Sequence, residues 1–144
     1  MKPENINTWL KVGLLRLRQP EKERVLSMIE SAQMNVEVVK GISVDEKTAT
    51  VIFREIYESV RQLGDALWWV KGYEPANHEM SLEILKDVDI HAKVKLNFLG
   101  RFKKIRHDAN YRGFKVSASQ AQEIIDFWDA CGRDIITQIR KSLK

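Results

Sequence analysis

The sequence predicts an all-α protein, a single up-and-down bundle of four to six helices with short connections. Three observations carry that expectation. Apolar residues recur at intervals of three and four along nearly the whole chain, the period of a helix with one face against a core. No stretch shows the apolar–polar alternation of a strand. Only 3 prolines and 7 glycines punctuate 144 residues, and a chain of that size with 44% hydrophobic content fills one domain, 1–144, but not two.

Taken in order, a short N-terminal helical segment within 1–19 covers about Thr8 to Arg18 and stops at Gln19-Pro20, because the residue before a proline is pushed out of the helical region. Pro20 then opens a second helix to Lys40, with Val25, Met28 or Ile29, Ala32, Val36 and Val39 inward and Gly41 as its stop. The third and central helix is capped by Asp45 or Ser43. It carries the inner stripe Ala49, Ile52/Phe53, Ile56, Val60, Leu63, Leu67 and Val70 and ends at Gly72. A shorter helix follows over His78–Asp87, and Asp87-Val-Asp-Ile breaks the chain before a basic helix from about His91 to Asn110. The inner positions of that helix are Val94, Phe98 and Ile105, with Leu96, Leu99 and Phe102 widening the apolar face. Tyr111 to Phe114 is a loop, and Ser117 caps a last helix whose stripe is Ala121, Ile124/Ile125, Trp128, Cys131, Ile135, Ile139 and Leu143. A stripe of that length can pack in the bundle or against a second subunit.

The net charge of +4 and a pI near 9.2 permit a phosphate-bearing partner without requiring one. Distribution says more than the total. Between His91 and Lys115 stand Lys93, Lys95, Arg101, Lys103, Lys104, Arg106, Arg112 and Lys115 against one acid, Asp108. Cys131 is the only cysteine, so no internal disulfide forms and a reducing cytoplasm is the expected compartment. The sequence begins without the apolar run of a signal peptide and contains no membrane-length apolar segment.

Several chemistries are disfavoured by spacing. His78, His91 and His107 with Glu79, Glu83, Asp87 and Asp89 form no His-Glu-x-x-His and no matched Glu-x-x-His pair, so no metal is expected. Cys131 lies on a core stripe and reads as a buried apolar group, not a nucleophile. Trp68 and Trp69 point about 100° apart on a helix, so one packs in the core and the other is exposed or at an interface. No glycine-rich phosphate loop is present, and no cofactor is called for.

One stretch concentrates chemistry. Arg101-Phe-Lys103-Lys104-Ile-Arg106-His107-Asp-Ala109-Asn110-Tyr111-Arg112 gathers cations, an imidazole and a phenol within three helical turns, with Arg106, Asn110 and Tyr111 expected on one side. Guanidinium groups fork onto phosphate oxygens, and an imidazole moves a proton. A phosphodiester suits that set.

This stretch, from Arg106 to Tyr111 and on into the final helix, resembles the signature region of the HEPN family, small helical bundles of prokaryotic toxins and antiviral systems. A second block, Phe53 to Leu67 leading through Gly72 to His78, is similar to the family's central helix, its glycine turn and a histidine that often follows; together the blocks span about 50–140. In catalytic members an arginine and a polar residue precede a histidine by four to six positions, and two copies form a metal-independent RNase cleft. If Arg106 is the motif arginine, His107 is its polar neighbour and Tyr111 stands where the second histidine is expected. If Arg101 is, His107 falls at an allowed distance but Phe102 takes the polar position. The first alignment is preferred, because Arg106-x-x-Ala109-x-Tyr111 is similar to the Arg-x-x-Ala-Asp-Tyr variant of members without the second histidine.

The resemblance implies an RNase of toxin–antitoxin or defence type. Arg106 and Arg101 would hold the scissile phosphate and His107 would transfer a proton, with Tyr111 in the expected histidine position and a phenol a poor base at neutral pH. The alternative it implies is a non-catalytic module that binds RNA or a nucleotide over Arg101, Lys103, Lys104, Arg106, Asn110 and Arg112. It further implies a homodimer and, in some relatives, a nucleotidyltransferase antitoxin that adenylylates a tyrosine matching Tyr111.

Overall fold

The structure is a computed structural model that describes residues 1–144. It is an all-α bundle: α1 (Pro3–Lys11), α2 (Lys22–Lys40), α3 (Ala49–Val70), α4 (His78–Glu83), α5 (Leu99–Tyr111), and a last rod in which α6 (Ala118–Phe127) passes through a π turn, Trp128–Gly132, into α7 (Arg133–Ser142). Helix α3 is the axis of the bundle. Its residues Ile52, Phe53, Ile56, Leu63 and Trp68 are fully buried and face α2, α4, α5 and the last rod in turn.

Two departures from a purely helical reading sit at the N-terminal side. The first helix begins at Pro3 and ends at Lys11, earlier than the expected 8–18, because Gly13 at φ +81° turns the chain out of the helix. The residues beyond it form a strand, β1 (Leu15–Leu17), antiparallel to β2 (Tyr73–Pro75) in the register Leu15 to Pro75 and Leu17 to Tyr73. Arg18 N–H donates to Gly72 C=O at 2.8 Å and Ala76 N–H to Leu14 C=O at 2.9 Å, extending the ladder at both ends. Gly72, at φ +90°, makes the turn that brings β2 back along β1. A strand of three residues is too short to show alternation in the sequence, which is why it was not expected.

The central and last helices form as their periodicity predicts. Asp45 accepts from Lys47 N–H (2.7 Å) and Thr48 N–H (2.9 Å), closing the turn that leads into α3. Those amides hold the Asp45 carboxyl below the usual range. Ser117 and Gln120 form a reciprocal capping box at the start of α6. Of the stripe of the last rod, Ala121, Ile124, Cys131, Ile135 and Ile139 are buried inside the bundle, and Trp128 and Leu143 are half-buried against its core. At the π turn the Trp128 ring covers Gly132, where a Cβ would lie 2.9 Å from the indole.

The basic segment differs in phase from its expectation. Residues Lys93–Phe98 form a 3₁₀ helix, and the α-helix begins only at Leu99. Three residues per turn instead of 3.6 rotates the inner face. Leu96, Leu99, Phe102 and Ala109 are therefore the buried positions, while Val94 (78% exposed) and Phe98 (43%) point outward and Ile105 is half-buried. Likewise the segment after α4 tightens into a 3₁₀ turn over Ile84–Asp87.

Both tryptophans of the Trp68-Trp69 pair are buried, correcting the expectation that one is exposed or at an interface. Trp68 Nε1 donates to Met80 C=O at 2.7 Å and meets Trp9 and Tyr73 edge-on, and Arg24 lies over Trp69 at 4.4 Å. The α3–α4 contact is closest at Gly64, where a Cβ would fall 1.8 Å from Ser81 C=O and 2.8 Å from its carbonyl carbon. Backbone presses on backbone there, and no rotamer change relieves an added methyl. Gly64→Ala should lower stability by about 3 kcal/mol or more, a fall in melting temperature of roughly 10 °C by calorimetry.

Candidate functional site

The largest cavity is an open groove of about 1060 Å³ between α5, the start of α4 and the middle of α3. One wall is a single face of α5: Gly100, Lys103, Lys104, His107 and Tyr111, spaced three and four residues apart, with Arg106 at its inner edge. The opposite wall is Ala76, Asn77, His78 and Glu79, and Tyr57 of α3 forms part of the floor. Asn77 fixes the start of α4 by accepting from Met80 N–H at 3.0 Å.

The groove therefore gathers Lys103, Lys104, Arg106, His107 and Tyr111 from the candidate stretch, and leaves three of its members outside. Arg101 turns away to Glu123 on α6, making a two-pronged pair with Nε–Oε2 at 3.1 Å and Nη2–Oε1 at 3.2 Å. Arg112 stands 4.0 Å from Asp108 and over the Phe114 ring at 4.9 Å. Asn110 is exposed and does not line the groove, so the side shared by Arg106, Asn110 and Tyr111 in the sequence reading is replaced by the Lys103–His107–Tyr111 face. Tyr57, Asn77 and His78 complete the groove. His78 entered the sequence reading only as an unpaired metal ligand and in the resemblance, and Tyr57 only within the central helix.

Arg106 is half-buried, with its guanidinium 5.8 Å above the ring of the buried Tyr57. Burial pushes the Tyr57 phenol up, against the charges of Arg106 and Arg61, so it stays protonated and can only donate or stack. His107 and Tyr111 stack obliquely one turn apart, with ring centroids at 4.9 Å. Lys103 also reaches Glu79 across the rim at 3.5 Å, a water-exposed pair that holds the lysine weakly.

Beneath the groove runs a chain of half-buried charges along α3. Arg61 bonds Glu58 on one side and Asp65, at 2.7 Å, on the other, and Asp65 accepts from the Ser81 hydroxyl of α4. Burial pushes the Asp65 carboxyl above its usual range, against the Ser81 hydroxyl and the charge of Arg61. For Glu58, burial acts the same way, but the bond and charge of Arg61, with His78 and Arg106, outweigh it and hold the carboxyl low. His78 is pulled down, first by burial and then by the charges of Arg61 and Arg106, with Glu58 in partial opposition. It is thus a neutral imidazole at neutral pH.

No group of three or more His, Cys, Asp or Glu side chains is placed to hold a metal ion, and no helix is long and apolar enough to cross a membrane. Cys131 is buried, which pushes its thiol up and leaves it unreactive. No protein-family model, curated protein or solved structure matches the chain.

Removing Arg61 would strand Asp65 in a half-buried site without a cation. Arg61→Ala should cost about 3 kcal/mol at neutral pH by chemical denaturation. Asp65 has a raised folded pKa, so its ionisation burdens the fold as pH rises, and Arg61 offsets that burden. Glu58, with a lowered folded pKa, stabilises only while ionised. Both effects vanish once the carboxyls are protonated, so the gap between variant and wild type should close as pH falls toward about 3.

Proposed function

We propose that this groove binds the phosphodiester backbone of single-stranded RNA and cleaves it without a metal ion, as an RNase of the HEPN-like toxin or defence type. The observation that carries the reading is the convergence of Arg106, Lys103, Lys104 and His107 on one groove wall. Cations on that wall neutralise the phosphate in the ground state, and the Arg106 fork meets the charge that builds on its non-bridging oxygens as phosphorus becomes five-coordinate. Arg106 is the one best held for this, because Tyr57 supports its guanidinium from below. His107 moves a proton. Tyr111, 71% exposed beside His107, offers a ring on which a neighbouring base stacks. Arg101, engaged by Glu123, takes no part, so the phosphate grip falls to Arg106 with the two lysines.

A second reading rests on Tyr111. It stands where the resemblance expects a histidine, and its exposure leaves the phenol open to a modifying partner such as a nucleotidyltransferase. On that reading the groove holds RNA or a nucleotide without cutting it. Either way we take the protein to act in the cytoplasm and as a homodimer.

Purified protein incubated with labelled single-stranded RNA in a chelator separates the readings. Cleavage is expected, with His107→Ala slowing it by about 10²- to 10⁴-fold, Arg106→Ala weakening both binding and cutting, and Arg101→Ala leaving both unchanged. RNA that raises the melting temperature without being cut, an effect lost in Arg106→Ala, selects the second reading. Neither cleavage nor a shift would discard both.

A further inference from the structure

The groove holds two imidazoles, and the second belongs to neither of the readings above. His78 comes from α4, His107 from α5, and both line the same 1060 Å³ space in one chain. Arg106 lines the same space as both, and its charge acts on His78 and on Glu58 behind it. A phosphate gripped by Arg106 would lie in a groove that carries one imidazole on each wall.

We infer that His78 and His107 are a general base and general acid for RNA cleavage, His78 taking the proton of the ribose 2′-hydroxyl and His107 delivering one to the departing 5′-oxygen. The inference rests on the RNase reading of the same groove and adds to it a second proton-transfer residue, His78, on the opposite wall.

The step balances within these groups. The 2′-oxygen forms a bond to phosphorus as its proton passes to the free ring nitrogen of His78. The bond from phosphorus to the 5′-oxygen breaks, and the leaving alkoxide takes the proton of the His107 imidazolium. The products are a 2′,3′-cyclic phosphate and a 5′-hydroxyl, and exchange with water restores both histidines. Bases need an unprotonated imidazole, and the surroundings of His78 favour one: burial disfavours a proton there first, the charges of Arg61 on α3 and Arg106 on α5 add to it, and Glu58 opposes them. Tyr57 is held protonated by burial, and Glu79 is an exposed rim residue beside Lys103.

The test uses the full chain and three substrates: an RNA oligonucleotide, the same oligonucleotide with one 2′-deoxy sugar at the cleaved position, and one with sulfur in place of the bridging 5′-oxygen. A thiolate leaves without being protonated, so the sulfur substrate needs the base but not the acid. Wild type is expected to leave a 2′,3′-cyclic end and to bind but not cut the deoxy substrate. His78→Gln and His107→Gln should each slow the ordinary RNA by about 10²- to 10⁴-fold while fluorescence anisotropy shows RNA still bound. The sulfur substrate should restore His107→Gln and leave His78→Gln slow. In the pH profile, His78→Gln should lose the rise on the acidic side. Added imidazole should recover part of the rate of His78→Ala, which a purely structural role would not allow. If His78→Gln cuts at the wild-type rate while His107→Gln does not, the RNase reading stands and this pair is overturned. Rescue of His78→Gln by sulfur, or cutting of the deoxy substrate, overturns it too. A wild type that never cuts RNA overturns both.

Discussion

The approach of the α4 backbone to Gly64 is the contact on which the site depends. Helix α3 presents a bare Cα there, and Ser81 C=O occupies the space a side chain would fill. The same residue of α4 gives its hydroxyl to Asp65, and the carbonyl before it accepts from the Trp68 indole. Three attachments within five residues of α3 thus fix a helix of only six residues, too short to be stable by itself. With α4 pinned, His78 at its first turn is held opposite α5.

The charges under the groove serve a related end. Glu58, Arg61 and Asp65 lie one turn apart along α3, and their side chains are half-buried and mutually bonded. A pair of this kind adds little net stability over apolar packing, but it fixes geometry, because any displacement leaves a charge unpaired. Its outer end also sets the field in the groove. Burial first, and then Arg61 and Arg106, disfavour a proton on His78, while Glu58 tempers them. Structural ion pairs and groove chemistry are therefore parts of one electrostatic system.

Legibility in the sequence followed the length of each signal. The stripe of α3 runs over 22 residues and the capping box of α6 is a local motif, so both were readable. The clasp of β1 and β2 was not, since three residues carry no period and their partner lies far along the chain. The phase of the basic segment departs from its periodicity at Val94 and Phe98, because a 3₁₀ turn is invisible to a 3.6-residue count. At the site, one wall was present in the sequence as Lys103, His107 and Tyr111. The other wall was hidden, because it is the packing of α4 on α3, through Gly64, Asp65 and Trp68, that brings His78 across to meet it. Arg101 was drawn off by Glu123, 22 residues downstream, a competitor that no local pattern reveals.

The clasp has a bearing on how the molecule assembles. Leu15 and Pro75 pair across 60 residues, and the intervening chain contains both α2 and α3. Closing so long a loop is entropically costly until those two helices have docked side by side and brought its ends together. Pro75 leads within three residues to Asn77 and His78. On this topology the N-terminal strand is a late seal, and the wall of the groove that bears His78 takes its final position only when the first residues of the chain have been gathered in.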